Sequence, residues 1–538
     1  MGPVLRNVME DFLPRRGHTV MGAIELALRL AVLWLSARLA LEFFTTVWVR
    51  LGYPFELEWM EGTVMDHVAR VRAGVPIYVR PSAEFVPYLY PPLFYWCSAA
   101  MSYVVGMQLL APRLVSTLAW VVLVVTMADF VRRETGCWWA GWLSAALYTL
   151  TYGSVGYWFD LARVDGLMLA LVFLGSWVAR FRHGLVSAVL AGLVLGAAFF
   201  AKQQALALVS APLIYALLAS WRRGAIMVAT FASVVLVGVV ALDARTAGWF
   251  SYYVFSLPRQ HSWGWGGWKE HLEPFWGPMA PHVVLAIVAL AVPVTATRRF
   301  ATTAFYFVLG VAAPVASYLS LLHTDGWINV LMPAYAVFSM LAGVLIGWLR
   351  SCPESMARRG LVAAHVLILL AFAMLPNDWA AQRPTAEDRV AGWRAIEKYR
   401  AIQGRIYAPS TGHYARLAGH EELSAQDMAL RDVMKTHDRE LRRELLDNVR
   451  RGYREQRYAA VILGATWDVV PIELKHELWR YYRRVGRVFE DEHCRPTTGL
   501  RVRPETIWVP RKKPMKGPPP DVPRRGRGKR RPRKTKGR

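Results

Sequence analysis

Residues 56–61 read ELEWME and residues 88–95 read YLYPPLFY, and this acidic, aromatic segment lies between long apolar runs. Carboxylates beside a membrane are costly to keep near its low-dielectric core unless a charged or reactive partner uses them. The segment therefore predicts a catalytic loop at the membrane surface. Glu58 and Glu61 are spaced i, i+3, so on a helix they would share one face and point at a common site.

The apolar runs on either side predict a polytopic α-helical membrane protein. Of the 538 residues, 54% are hydrophobic, and Trp and Tyr cluster at the ends of the runs, as they do at membrane interfaces. About eleven transmembrane helices are predicted, at 20–49, 114–131, 138–157, 166–180, 185–200, 204–220, 225–242, 281–296, 301–321, 330–349 and 361–376. Residues 91–110 are predicted to be re-entrant or flat on the outer side, with an ordinary span as the alternative.

Basic clusters determine the predicted orientation. Lys and Arg favour the cytoplasmic side, and placing every cluster there leaves the acidic first loop, residues 50–113, and everything after residue 376 outside. We therefore expect a multi-pass protein of the inner (plasma) membrane with a periplasmic active site. The predicted domains are a transmembrane catalytic domain (1–376), a small external α/β domain (377–510) with strand-like runs at 404–408 and 458–463, and a basic tail (511–538).

The net charge of +25 does not indicate nucleic-acid binding. Residues 511–538 hold 14 Lys or Arg and one Asp, so this Pro- and Gly-rich tail supplies about half of the charge and is predicted to be disordered. The tail lacks the interleaved aromatic residues that stack on bases. The sequence also contains no nucleotide-binding motif, so any activated donor is predicted to be a membrane lipid.

Charged residues at the other predicted external turns complete the set of candidates. Asp160, Arg163 and Asp165, between two spans, would serve a substrate path or only pair with one another. Lys202 lies in a turn too short to hide its charge, so it would bind phosphate or extend to the interface. The remaining substrate-binding candidates from these turns and loops are Arg113, Arg259, His261 and Asn329.

Taken together, these features resemble the GT-C superfamily of polyprenyl-phosphate-sugar-dependent glycosyltransferases. The layout is similar to that of the protein O-mannosyltransferases and the lipid A aminoarabinose transferases, over about residues 20–350. The resemblance rests on five motifs in order along the chain: ARVRAG at 69–74, YPPLFYW at 90–96, ARVD at 162–165, FFAK at 199–202 and NVLMP at 329–333.

The resemblance implies that a carboxylate activates an acceptor hydroxyl while cationic side chains stabilise the departing lipid phosphate. Glu61 matches the first acid of the family's Asp-Glu pair, but Gly62 replaces the second, so the base is left open between Glu61 and Glu58. Asp165 matches the second external acid and Lys202 the phosphate-contacting lysine. Tyr90, in the Pro-Pro motif, is placed with the substrate-binding residues. No cofactor is required by the sequence, and a divalent metal is possible because family members differ.

The predicted partners are a polyprenyl-phosphate-sugar donor, a lipid, glycan or protein acceptor, and the membrane. The main alternative is a transporter or flippase of a lipid-linked sugar, which would also need a polar, cationic cavity. Such transporters often contain internal repeats, and this sequence shows no convincing one. Neither the sugar nor the acceptor is specified by the sequence.

Overall fold

The computed structural model describes residues 11–13, 20–264, 267–294, 299–464 and 472–515. The helices of its first part are α1 (Val20–Leu51), α2 (Glu61–Arg72), α3 (Leu93–Val105), α4 (Leu110–Thr135), α5 (Trp138–Leu150), α6 (Asp165–Phe181), α7 (Leu185–Ala201), α8 (Ala205–Ala219), α9 (Trp221–Thr246), α10 (Trp249–Ser251), α11 (Glu273–Trp276), α12 (Ala280–Ala289), α13 (Phe300–Leu322), α14 (Met332–Ser351) and α15 (Glu354–Met374). Those of its last part are α16 (Ala386–Arg400), α17 (Gly412–Leu417), α18 (Asp427–Met434), α19 (Arg439–Arg454) and α20 (Ile472–Tyr481).

Six of the described helices are long and apolar enough to cross a membrane: α1, α4, α9, α13, α14 with the turn before it, and α15. The bent pair formed by residues 270–276 and 280–292 makes a seventh candidate. Four further predicted spans correspond to α5, α6, α7 and α8, which have 13, 17, 17 and 15 residues. Helices of that length extend only about 20–26 Å, against a hydrocarbon core of about 30 Å. A multi-pass helical membrane protein is confirmed, whereas the count of eleven spans stays a prediction.

Helix α14 lies at the centre of the bundle and is buried along its apolar length. It packs against α5, α12, α13 and α15. A Cβ atom added to Gly343 would lie 2.8 Å from the carbonyl oxygen of Ala140, so only glycine permits this approach of α14 to α5. In contrast, α9 packs on α7 and α8 and leaves most of its apolar surface exposed, as expected of a helix that faces lipid.

The segment 91–110 forms the 13-residue helix α3 and a short connection to α4. A straight helix of that length is about 20 Å long, too short to cross the membrane core. Gly106, with φ of 86°, ends the helix in a conformation that residues with a side chain rarely adopt. This length favours the re-entrant or flat arrangement over an ordinary span.

The residues after α15 form a mixed α/β unit, which we call the carboxyl-terminal unit (residues 386–515). Its four strands are β1 (Ile406–Tyr407), β2 (Ala460–Gly464), β3 (Tyr482–Arg487) and β4 (Pro504–Pro510), in the order β1-β2-β4-β3. β1 and β2 are parallel, and β4 is antiparallel to both β2 and β3. Strands β1 and β2 overlap the two predicted strand-like runs. The boundary at residue 377 stays a prediction, and the predicted disorder of the tail concerns mainly residues 516–538, which lie outside the described residues.

The side of the membrane that carries the carboxyl-terminal unit can be tested by cysteine labelling. We expect Glu421→Cys to react with an impermeant maleimide in intact cells, whereas His183→Cys, in the turn between α6 and α7, should react only after permeabilisation. Both positions are exposed, and the native cysteines are buried or half-buried, so the unsubstituted chain is the blank. Labelling of His183→Cys in intact cells, with no labelling of Glu421→Cys, would show that the predicted orientation is wrong.

Candidate functional site

The acidic loop is organised by a fully buried ion pair between Glu61 and Arg113. The Arg113 Nε atom lies 2.9 Å from Glu61 Oε1, and an Arg113 Nη atom lies 2.6 Å from Oε2. The same guanidinium donates to the carbonyl oxygens of Arg50, Tyr53 and Phe55 at 2.6–3.1 Å. Both ionic side chains have no exposed surface. The loop therefore wraps around Arg113, whose side chain is occupied by protein acceptors and does not line the cavity described below, so its predicted contact with substrate stays a prediction.

Glu61 is saturated with hydrogen-bond donors. Besides Arg113, it accepts from the backbone N–H groups of Leu57 at 2.7 Å and Ala162 at 2.9 Å. Burial alone would raise the pKa of Glu61, but Arg113 and these donors outweigh it and lower the pKa. A carboxylate held in this way is a poor proton acceptor, and Glu61 does not line the cavity described below. The assignment of Glu61 as the base is therefore not supported by its surroundings.

Glu58 and Glu61 do not share a helix face, contrary to the sequence expectation. Helix α2 begins at Glu61, and Glu58 lies in the turn before it. The reason is that the Glu61 carboxylate binds the preceding backbone, including the N–H of Leu57, and this holds residues 57–60 in a turn. The two carboxylates consequently have different environments, and only Glu58 lines the cavity described next.

A cavity of about 720 Å³ lies between the helical bundle and the carboxyl-terminal unit. Six predicted site residues line it: Glu58, Tyr90, Arg163, Lys202, His261 and Asn329. Aromatic side chains, including Trp59 and Trp158, and residues Met428, Arg431 and Asp432 of helix α18 complete much of its wall. A cavity of this size with a few convergent polar groups is typical of a small-molecule or cofactor site.

Glu58 is the carboxylate best placed for chemistry in this cavity. Its Oε2 atom lies 3.5 Å from an Arg163 Nη atom and accepts the Met60 N–H at 3.3 Å. Burial raises the pKa of Glu58 to about 7, although the Arg163 guanidinium opposes the shift. A general base is most effective when its pKa lies near the working pH. Glu58 has both the position and the basicity that Glu61 lacks.

Arg163 lies in the turn between α5 and α6. This turn is fixed because the N–H of Ala162 binds Glu61 and the Ser116 hydroxyl donates to the Arg163 carbonyl oxygen at 3.2 Å. The Arg163 guanidinium lies 5.3 Å from the Trp158 ring centroid and 5.9 Å from that of Tyr90. Its buried Nε–H donates to no acceptor among the described residues. The side chain thus retains a donor for a ligand of the cavity.

Lys202 and Asp165 meet because they terminate neighbouring antiparallel helices. Asp165 is the first residue of α6, and Lys202 immediately follows the end of α7, so each charge favourably faces the dipole of its own helix. The Lys202 Nζ atom lies 2.6 Å from Asp165 Oδ1. Asn329 also bonds Asp165. Asp165 does not line the cavity and contacts it through Lys202 and Asn329, so a catalytic role for Asp165 stays a prediction.

Tyr90 lies beside two of the cations that line the cavity, Arg163 and Lys202. Its ring centroid lies 6.0 Å from Lys202 Nζ, and its hydroxyl lies 3.5 Å from an Arg163 Nη atom. Neighbouring contacts fix its backbone, because Tyr78 donates to the Tyr90 carbonyl oxygen at 2.7 Å and Gln203 donates to that of Leu89 at 2.8 Å. The Pro-Pro motif therefore places an aromatic side chain beside two positive charges.

At another part of the cavity wall, His261 faces the carboxyl-terminal unit. Its Nε2 atom lies 4.0 Å from Asp432 Oδ1. Burial lowers the pKa of His261 to about 4, and the charge of Lys435 lowers it further. Burial raises the pKa of Asp432 to about 6, although Lys435 opposes this rise. At neutral pH the His261 imidazole is therefore uncharged. Asp325 forms ion pairs with Arg431 and Lys435 across the same junction.

Two further sequence expectations are corrected. Arg259 is exposed and does not line the cavity, although it lies only two residues from His261. Asp160 does not join the site with Arg163, because it forms a buried ion pair with Arg50 at 2.8 Å and accepts a hydrogen bond from Tyr152 at 2.6 Å. Nothing in the sequence indicated that Trp158, Asp432 or the segment 499–500 would line the cavity. These residues reach it only through tertiary packing.

Within the described residues, no group of three or more His, Cys, Asp or Glu side chains is arranged to hold a metal ion.

Comparison with solved structures identifies the fold. The chain is similar to ArnT from Cupriavidus metallidurans bound to undecaprenyl phosphate, with a TM-score of 0.54 and 14% identity over 89% of this chain and 97% of ArnT. The apo state of the same protein gives a TM-score of 0.53 with the same identity and coverage. The chain therefore has the same fold as ArnT, in agreement with the fold that the sequence resemblance implied. No protein-family model and no curated protein sequence matches this chain.

The structural role of Glu61 can be measured directly. We expect Glu61→Gln to destabilise the protein by roughly 3–5 kcal/mol, because it leaves the buried Arg113 guanidinium without its counter-charge. Thermal unfolding of the purified protein in detergent, followed by circular dichroism, provides the measurement. Glu58→Gln, which faces the cavity, is the comparison and should unfold close to the wild-type temperature. Wild-type stability of Glu61→Gln would show that the pair does not organise the loop.

Proposed function

We propose that this protein is an integral-membrane glycosyltransferase that moves a sugar from a polyprenyl-phosphate donor to an acceptor hydroxyl. The observation that carries this proposal is the convergence of Glu58, Arg163 and Lys202 on one cavity in a chain with the GT-C fold. The structural neighbour ArnT was crystallised with undecaprenyl phosphate, which supports a polyprenyl phosphate as the lipid carrier here.

Glu58 acts as the general base in this proposal. Its carboxylate takes the proton of the acceptor hydroxyl as the oxygen attacks the anomeric carbon of the donor sugar. The bond from that carbon to the phosphate oxygen breaks in the same step, and its electron pair leaves with the polyprenyl phosphate. A single displacement of this kind inverts the anomeric configuration.

Arg163 and Lys202 bind the donor phosphate. Negative charge on the bridging oxygen grows as the sugar departs, so cations fixed in a largely buried site stabilise the transition state more than the bound donor. The buried Nε–H of Arg163 has no acceptor in the described part of the chain, and Lys202 is oriented by Asp165. Tyr90 lies beside both cations, and Asn329 and His261 provide further polar contacts around the sugar or acceptor.

The active site and the carboxyl-terminal unit face the exterior of the inner (plasma) membrane in this proposal, as the basic clusters predict. Cytoplasmic nucleotide sugars would not reach such a site, whereas a lipid-linked sugar in the outer leaflet would. The acceptor is a lipid, glycan or protein that presents a hydroxyl group on that face.

Replacement of the proposed base should remove transfer and leave donor binding. We expect Glu58→Gln to lower turnover by about 10²-fold or more, because the amide keeps the shape of the side chain but accepts no proton. The assay uses a purified polyprenyl-phosphate-sugar with envelope acceptors, and product is detected by mass spectrometry. A wild-type rate for Glu58→Gln would exclude Glu58 as the base.

Glu56→Gln is the matched control for this experiment. Burial, together with the nearby carboxylates of Glu61 and Glu58, raises the pKa of Glu56 well above its ordinary value, and Glu56 does not line the cavity, so we expect the amide to change the rate little. In the wild type, the rate should rise with pH through about 7 as Glu58 loses its proton, because only the charged form is a base. This rise should be absent in Glu58→Gln.

Loss of a phosphate contact should have a different signature. We expect Lys202→Ala to lower turnover roughly 10- to 100-fold at saturating acceptor, since a charge-assisted hydrogen bond contributes about 1.5–3 kcal/mol. Arg259→Ala removes an exposed cation outside the cavity and should behave as wild type. Equal turnover and donor affinity in Lys202→Ala and the wild type would assign Lys202 to a structural pair with Asp165. A strong defect in Arg259→Ala would indicate that the donor phosphate binds near Arg259 instead.

A further inference from the structure

A segment near the end of the described chain contacts the loop that carries the proposed base. The Thr498 N–H donates to the Leu57 carbonyl oxygen at 3.1 Å, and the Thr498 hydroxyl donates to that of Gly156 at 2.6 Å. Thr498 is buried, and the next two residues, Gly499 and Leu500, line the cavity. The carboxyl-terminal unit is therefore anchored to both sides of the cavity at this point.

Gly499 lies directly against Glu58. A Cβ atom added at Gly499 would lie 3.0 Å from Glu58 Cγ and 3.5 Å from Glu58 Oε1. The φ angle of Gly499 is +65°, a conformation that also favours glycine. The Glu58 side chain thus has Gly499 on one side, while its carboxylate lies 3.5 Å from Arg163.

We propose that Gly499 is a positioning residue for Glu58, and that the carboxyl-terminal unit completes the catalytic site through it. The inference rests on the proposed function, because it assumes that Glu58 is the base. A methyl group at residue 499 would force the Glu58 side chain to move by a few tenths of an ångström. Transfer requires the carboxylate and the acceptor hydroxyl in a close, aligned arrangement, and small displacements from it reduce the rate strongly.

The test is Gly499→Ala in the full-length protein, assayed with a polyprenyl-phosphate-sugar. We expect turnover to fall about tenfold or more with little change in KM for the donor, because the phosphate contacts are not altered. The pH at which the rate rises should also shift, because the distance between Glu58 and Arg163 changes. A general loss of folding would also lower the apparent turnover at unchanged KM, but it would leave the pH dependence of the remaining active enzyme as in the wild type, so an unshifted pH dependence would overturn the positioning role.

Two glycines provide matched controls for backbone strain. Gly74 has a φ of +69° and Gly419 a φ of +94°, and an added Cβ atom would meet nothing within 4 Å at either position. Gly74→Ala and Gly419→Ala therefore introduce the same conformational strain without touching Glu58. Both should retain wild-type turnover and pH dependence. If they lose turnover as Gly499→Ala does, strain explains the effect and the positioning role is overturned.

A double variant separates this inference from the function on which it rests. In a Glu58→Gln background, Gly499→Ala should cause no further loss, because the group that it displaces no longer accepts a proton. A further tenfold loss there would overturn the positioning role. If Glu58→Gln is inactive but Gly499→Ala has the wild-type rate and pH profile, only this inference fails. If Glu58→Gln itself is fully active, the assignment of Glu58 as the base is wrong, and the positioning role of Gly499 falls with it.

Thr498→Val decides the question if Gly499→Ala does not accumulate in the membrane. Valine keeps the branched shape but removes the hydroxyl bond to Gly156, which loosens the segment over Glu58. The same loss of turnover at unchanged donor KM would support the positioning role of the segment. Wild-type kinetics for Thr498→Val would overturn it.

Discussion

The buried ion pair between Glu61 and Arg113 is the contact on which the site depends. It joins α2 to α4, and through Ala162 it also fixes the turn that carries Arg163. Removing either charge would leave the other in a site without water, which costs far more than the pair contributes by itself. The pair engages the Glu61 carboxylate fully, and it holds the backbone that carries Glu58 in place. Its role is therefore structural.

The three carboxylates of the loop differ because their surroundings differ. The bidentate Arg113 guanidinium lowers the pKa of Glu61, whereas burial and the neighbouring carboxylates raise the pKa of Glu56 well above its ordinary value. Glu58 lies between these extremes, beside a single cation at 3.5 Å. Groups of one chemical type whose pKa values are pushed apart are a common arrangement in enzymes that transfer protons. Here the pKa values of Glu56, Glu58 and Glu61 are shifted differently although the three residues lie close together in the sequence.

The sequence predicted the fold better than the identity of the base. The length and polarity of the apolar runs depend on composition, so a polytopic helical protein and a mixed carboxyl-terminal unit could be read from them. The convergence of Arg163 and Lys202 also followed from their positions at helix ends. In contrast, the choice between Glu58 and Glu61 depends on Arg113, 52 residues away, which takes one carboxylate and leaves the other. Spacing along the chain carries no information on such a pairing, and it also gave no sign that Gly499 reaches the cavity.

The contact of residues 498–500 with the acidic loop has a consequence for biosynthesis. The loop with Glu58 and the membrane helices, the last of which ends at Met374, leave the ribosome before Gly499 does. During that interval the cavity lacks the wall that Gly499 and Leu500 provide, and the Leu57 carbonyl oxygen lacks its Thr498 partner. The nascent chain can therefore insert into the bilayer and encounter lipids before its site is enclosed. The cavity thus attains its final shape only after residues 498–500 have been synthesised.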